Sequence, residues 1–198
     1  TVNEIYASVQ GESTFAGQPC TFVRLTACDL RCRWCDSPYA FHEGRKMPVD
    51  DVVAAVRELG LPLVELTGGE PLLQPAAVPF MQRLLDEGYT VLLETGGHRA
   101  INAVPAGVHR IVDVKCPDSG EAGKMHWANL DQLRPADEVK LVIASRGDYE
   151  YAKDVVARYD LARRCGAVHF SPAFNELPPA ELAAWMLADR LPVRLQLQ

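Results

Sequence analysis

The chain alternates short runs of β-type residues with stretches of helical period, and glycines or polar clusters separate them. Ile5-Tyr6-Ala7-Ser8-Val9 reads as a strand that runs into a polar turn, Gln10-Gly11-Glu12-Ser13. Alternation over 21–27 places Phe22, Arg24 and Thr26 on one face and Val23 and Leu25 on the other. An arginine in mid-strand is costly unless paired, so Arg24 asks for an anion. A cysteine-bearing loop follows, and 41–46 is a further polar loop. Val52, Val53, Val56 and Leu59 form one apolar stripe, which predicts a helix over 51–59 capped by Asp50 and stopped by Gly60. Residues 63–67 read as a short apolar strand, 76–87 as a helix ending at Gly88, and 90–94 and 111–115 as strands. Past an undefined stretch at 127–133, the pattern predicts strand 138–144, helix 148–159, strand 167–171, helix 178–189 and strand 193–197.

Strands alternating with helices imply an α/β fold built from βα units on a parallel sheet with right-handed crossovers. With 198 residues, 48% of them hydrophobic, the chain can bury one sizeable core, and 1–198 reads as a single domain. The residues of unusual chemistry fall at the C-terminal ends of predicted strands: the cysteines, Thr67-Gly68-Gly69-Glu70, Glu94-Thr95-Gly96-Gly97, Lys115-Cys116-Pro117 and Ser171-Pro172. Folds of this class gather their ligand sites at that end, so these residues converge on one mouth.

A net charge of −6 without clustered Lys and Arg argues against a nucleic-acid surface and leaves a small-molecule substrate as the default. No apolar run approaches the roughly 20 residues needed to cross a bilayer, and no charged, apolar leader opens the chain. A cytoplasmic protein is expected, and the opening Thr1 in place of Met points to processing or to preceding residues. Three of the six cysteines form one motif while Cys20, Cys116 and Cys165 are scattered, which fits a reducing compartment better than a disulfide framework.

That motif is Cys28-Asp29-Leu30-Arg31-Cys32-Arg33-Trp34-Cys35-Asp36, with thiols at the spacing Cys-x3-Cys-x2-Cys. A structural zinc site closes with four protein ligands, and an iron–sulfur electron carrier uses four cysteines. Three thiolates can instead hold three irons of a [4Fe-4S] cube and leave the fourth iron open. A zinc site with a remote fourth ligand such as His42 or Cys116 is the alternative. Trp34 shields a cluster or is a plain core aromatic. Gly68-Gly69-Glu70 lets backbone approach a ligand closely, or forms a helix-entry turn with Pro71.

The cysteine spacing, with an aromatic before the last Cys, resembles the radical S-adenosylmethionine (SAM) signature. Together with Gln10-Gly11-Glu12, Arg24, Asp36-Ser37, Thr67-Gly68-Gly69-Glu70-Pro71, Glu94-Thr95, Asp113-Val114-Lys115-Cys116-Pro117 and Phe170-Ser171-Pro172, it resembles the 7-carboxy-7-deazaguanine synthase family over 3–198. The resemblance implies a compact, shortened variant of the partial radical SAM (β/α)6 barrel, usually a homodimer, supplied by an electron donor such as a flavodoxin or ferredoxin. It implies conversion of 6-carboxy-5,6,7,8-tetrahydropterin to 7-carboxy-7-deazaguanine with loss of ammonia, on the route to queuosine. Cluster-driven cleavage of SAM supplies a 5′-deoxyadenosyl radical that takes hydrogen from C6 and later returns it, so that SAM acts as a cofactor and no side chain is the catalyst.

By the same resemblance Cys28, Cys32 and Cys35 hold the cluster and the Ser37 hydroxyl ligates Mg²⁺. SAM contacts Gly69, Glu70, Glu94, Thr95, Asp113, Val114, Lys115, Ser171 and Pro172. The pterin is read by Val9, Gln10, Gly11, Glu12 and Thr67, and its carboxylate is met by Arg24, for which a structural ion pair is the alternative. Lys115 and Lys140 are equally open to a structural cationic role. Rival readings are a radical SAM activase that places a glycyl radical on a partner enzyme, and a non-catalytic metal-binding module. Relatives commonly carry a short basic–aromatic tail beyond the last strand, which this sequence, ending at Gln198, does not include.

Overall fold

The computed structural model describes residues 1–197; Gln198, the last residue of the predicted single domain, lies outside the described residues. Its strands form one sheet in chain order, β1 to β8. β1 (Val2–Val9) is antiparallel to β2 (Pro19–Leu25). β3 (Leu63–Gly68), β4 (Thr90–Thr95), β5 (His109–Asp113), β6 (Glu138–Ile143), β7 (Ala167–Pro172) and the short β8 (Arg194–Leu195) continue parallel to β2. The strands β2 to β7 are the six of a partial barrel.

The crossovers explain why the barrel is a shortened one. Helix α1 (Val49–Leu59) joins β2 to β3, α2 (Ala77–Asp86) joins β3 to β4, and α4 (Arg146–Arg158) with α5 (Leu161–Arg164) joins β6 to β7. Between β5 and β6 the only α-helix among the described residues is the one-turn α3 (Ala128–Asp131), and between β4 and β5 there is none. Helix α6 (Pro179–Asp189) leads to β8.

Alternation along the strands sorts two layers. Val23, Leu25, Val64, Leu66, Val91, Leu93, Val112, Val139, Leu141, Val168 and Phe170 face the helices, which return Val52, Val53, Val56, Phe80, Met81, Leu84, Tyr149 and Leu182 to one core. Opposite them, Cys20, Phe22, Leu63, Leu92 and Ile111 make a small apolar layer inside the barrel, with Tyr6 and Phe15 packed on it.

Several boundaries differ from those the pattern predicts. α1 begins at Val49 with Pro48 at its N-cap, so Asp50 and Asp51 sit in the first turn, where carboxylates favour the helix dipole. Leu59 leaves the buried stripe and is exposed. α4 begins two residues early because the Ser145 side chain accepts from the Asp148 amide at 3.2 Å, an N-cap that Ser-x-x-Asp spells out. β5 lies two residues earlier than expected, so Lys115 is beyond the strand, and β8 is two residues long.

Candidate active site

The upper ends of the parallel strands enclose a cavity of about 320 Å³. Because β1 runs antiparallel to β2, its C-terminal end points away from this mouth, and Val9 is 58% exposed there. The following loop turns back into the barrel as a plug and brings Gln10, Gly11 and Glu12 to the cavity floor. Glu138 anchors the plug: its buried carboxylate accepts from the Thr14 amide at 3.1 Å and meets His109 Nε2 at 2.8 Å and His169 Nε2. Burial alone would raise the Glu138 carboxyl, but the hydrogen bonds from His109, His169 and Thr14 override it and hold the group far below its usual range.

Most of the predicted residues meet at this cavity. Cys28, Cys32, Cys35, Ser37, Gly69, Glu94, Thr95, Asp113, Lys115, Gln10, Gly11, Glu12, Arg24 and Thr67 line it. Val9, Glu70, Val114, Ser171 and Pro172 are not among the residues that line it. Val114 turns into the outer core. The Ser171 side chain is buried at 3.5 Å from Gln196 Nε2. Glu70 is fully buried and accepts from the Leu72 amide, the Thr95 hydroxyl and the Gly96 amide at 2.8–2.9 Å. Its carboxylate therefore ties the end of β3 to the end of β4 and is spent within the protein.

The glycines before it serve a close approach. A Cβ on Gly69 would stand 2.2 Å from the Ala27 carbonyl oxygen and 2.9 Å from Cys28 Cβ. The Gly69 and Glu70 amides donate to Leu25 and Ala27 at 3.0 and 2.8 Å, pressing β3 against the backbone that enters the cysteine loop. The far side of that loop is held as well: Arg31 N donates to Glu121 Oε1 at 2.7 Å, Arg33 N to the Ser119 carbonyl at 3.1 Å, and Asp29 meets His98 Nε2 at 2.6 Å. The loop is thus fixed to the ends of three strands.

On the floor, Lys140 Nζ donates to Glu12 Oε2 at 2.8 Å and to Glu94 Oε1. Burial opposes the charge on Lys140, yet Glu94 and then Glu12 outweigh it and hold the ammonium well above its ordinary value. Burial likewise opposes the charge on Glu94, and Lys140 overrides it to keep that carboxylate below its usual range. Lys140 lines the cavity and Lys115 Nζ pairs with Asp113 Oδ2 at 2.6 Å, so both lysines carry ion pairs here. Arg24 gives its Nε to Glu4 at 2.8 Å and Nη2 to the Tyr6 hydroxyl at 3.3 Å, the structural pair foreseen as its alternative role, while its side chain still lines the cavity.

Sequence reasoning missed Glu65. It sits within the strand read as simply apolar, lines the cavity and is 4% exposed. The rule that singled out Arg24, a charge among β-type residues, would have found it. Gln10 was expected to read a heterocycle, but its Nε2 donates to Glu65 Oε2 and its Oε1 accepts from the Glu12 amide at 2.9 Å.

Comparison with known proteins decides among the readings of this cavity. The profile of the Radical SAM superfamily matches residues 23–160. The 7-carboxy-7-deazaguanine synthase of Koribacter versatilis is 51% identical over all of this chain and 93% of its own length. That of Chlorobaculum tepidum is 44% identical over all of this chain and 90% of its own. The chain belongs to the 7-carboxy-7-deazaguanine synthase family. The crystal structure of QueE from Escherichia coli superposes with a TM-score of 0.81 at 21% identity, covering 100% of this chain and 92% of that one, and shows the shared fold.

Membership in this family of radical SAM lyases bears out the expected fold class and enzyme class, and implies SAM and a [4Fe-4S] cluster. The residues present fit them. The three motif thiols are free and share one cavity, whereas the alternative zinc ligands do not reach it: Cys116 is in the outer core and His42 is exposed. Among the described residues no three His, Cys, Asp or Glu side chains are gathered for a single ion. Burial raises the Cys28 and Cys32 thiols, so loading with metal releases protons. Asp113 Oδ1, buried on the cavity wall without a hydrogen-bond partner, is an acceptor waiting for a donor.

Proposed function

We propose that this chain, acting as a single domain over 1–198, carries out the Mg²⁺-assisted, radical ring contraction of 6-carboxy-5,6,7,8-tetrahydropterin to 7-carboxy-7-deazaguanine with loss of ammonia. The observation that carries the proposal is the meeting of three thiols, a glycine edge, a cation and a hydroxyl on one cavity. When bound, the cluster and SAM supply the radical; the protein binds, orients and shields. Gly69, Glu94, Thr95, Asp113 and Lys115 form the side toward SAM, with Glu70 holding the ends of β3 and β4 together.

On the substrate side, Glu4 orients the Arg24 guanidinium, which keeps donors for the pterin carboxylate. The Ser37 hydroxyl, 3.1 Å from Asp36 Oδ1, offers Mg²⁺ one of the few protein oxygens that this ion takes. Thr67 and the Gly11 backbone face the ring. The reading includes a homodimer in the cytoplasm fed by a flavodoxin or ferredoxin; among the described residues no helix is long and apolar enough to cross a membrane.

The test is turnover by anaerobically reconstituted, reduced protein given SAM and the pterin. Formation of 7-carboxy-7-deazaguanine, faster with Mg²⁺ and without net loss of SAM, is the expected result. Cleavage of SAM with the pterin untouched would overturn the assignment.

A further inference from the structure

Glu65 stands on the cavity floor between two lateral neighbours, Phe22 on β2 and Leu92 on β4, in the apolar layer inside the barrel. Phe22 lines the same cavity and stacks on Tyr6 with centroids 5.2 Å apart, so a flat face lies beside the Glu65 carboxyl. Gln10 fixes that carboxyl by donating to Oε2, and Oε1 accepts no hydrogen bond among the described residues. The charged groups around it are Glu12 from the plug, Arg24 on β2, Glu94 on β4 and Lys140 on β6. Lys140 is taken up by Glu12 and Glu94, and Arg24 by Glu4, so Glu65 has no cation of its own.

A buried carboxyl without a cation, beside an aromatic face and open on one oxygen, matches a planar ligand edge that carries adjacent N–H donors. The aminopyrimidinone half of a pterin has such an edge in its exocyclic amine and neighbouring ring N–H. We propose that Glu65 is the specificity-determining residue for that edge, with Gln10, itself spent on Glu65 and Glu12, acting as the positioning residue. The inference rests on the pterin assignment above and deepens it. Burial, followed by the charge of Glu94, holds the free carboxyl protonated well above its usual range. Glu65 pairs with two donors only as the carboxylate, so binding expels its proton.

The test uses reconstituted holoenzyme with SAM, and titrates calorimetrically the pterin substrate against its 2-desamino analogue in two buffers of different ionisation enthalpy. Wild type should prefer the 2-amino compound by ~30-fold, in the range of a lost hydrogen bond to a charged group, and release a proton only with that compound. Glu65→Gln, with unchanged SAM affinity as the check on its fold, should discriminate less than about 3-fold, since its amide turns a donor toward donors. Equal binding of the two compounds by wild type, or full discrimination retained in the variant, overturns the inference. Should the variant lose SAM binding as well, the wild-type preference and proton count still decide. A wild type that converts no pterin defeats the assignment itself, whereas one that converts it but ignores the 2-amino group defeats Glu65 alone.

Discussion

Replacing Lys140 with Met removes the ammonium that Glu12 and Glu94 share while keeping an unbranched side chain one atom shorter. Stripping one partner from a buried ion pair costs about 3–5 kcal/mol, because the remaining charge is left without compensation. Here the lysine side chain is 6% exposed but the two carboxylates keep 25% and 26%, so water relieves part of the penalty. The expected loss is therefore about 2–4 kcal/mol near pH 8, read by urea denaturation under reducing, anaerobic conditions.

The pH dependence separates this cause from simple loss of packing. In the wild type Lys140 holds Glu94 below the ordinary carboxylate range against burial, so that contribution is present at neutral pH and is lost as pH falls through the folded-state value. In the variant, burial and mutual repulsion raise both carboxyls, so the folded form takes up protons that the unfolded form does not. Its deficit should then shrink steadily from about pH 8 to about pH 5. A loss below about 1 kcal/mol at pH 8, or one that grows on acidification, would refute the charge argument.

Two further outcomes follow from the packing around the site. Gly69→Ala drives a Cβ into the Ala27 carbonyl and must displace the cysteine loop; 5′-deoxyadenosine formation should fall about 100-fold, and a rate near that of wild type would contradict the close approach. Asp137, fully buried and bonded by Arg110 and Arg134, is held at about 2 by those hydrogen bonds against the opposing effect of burial. Asp137→Asn should cost about 2 kcal/mol at pH 7, a difference that fades as pH falls from about 5 through 2, and a pH-independent difference would show that the pairing is not its source.

The outer half of this fold was legible in the sequence, and the inner half much less so. Helix stripes such as Val52, Val53 and Val56, and strand runs such as 63–67 and 90–94, report burial against a helix layer, which any apolar side chain satisfies. The start of β5 was missed because His109 and Arg110 look like loop; Arg110 is nonetheless buried, its Nε donating to Asp137 at 3.0 Å from 27 residues away. The cysteine loop and the glycine edge were readable because their spacing is local. The internal partners of Gln10 and Glu70 were hidden for the opposite reason: Glu65 and Thr95 are distant in sequence, and no local pattern reveals them.

Charge counting inside the barrel explains why the floor is built as it is. Glu12, Glu65 and Glu94 face a single shared ammonium, Lys140, so not all three can be ionised in the free enzyme without a buried excess of negative charge. Glu94 takes the charge because Lys140 outweighs its burial, and Glu65 holds the proton because burial and then the charge of Glu94 raise it. A ligand that brings N–H donors to Glu65 removes the reason for that proton, whereas an anionic ligand at the same place would be repelled by Glu94 and Glu12. On the proposed assignment the floor would orient a substrate that is anionic at one end and donor-rich at the other, its carboxylate toward Arg24 and its donors toward Glu65, both of which line the cavity. Reversing the ring would set a carboxylate against three acidic side chains, so orientation in this site follows from charge balance before any contact with SAM is counted.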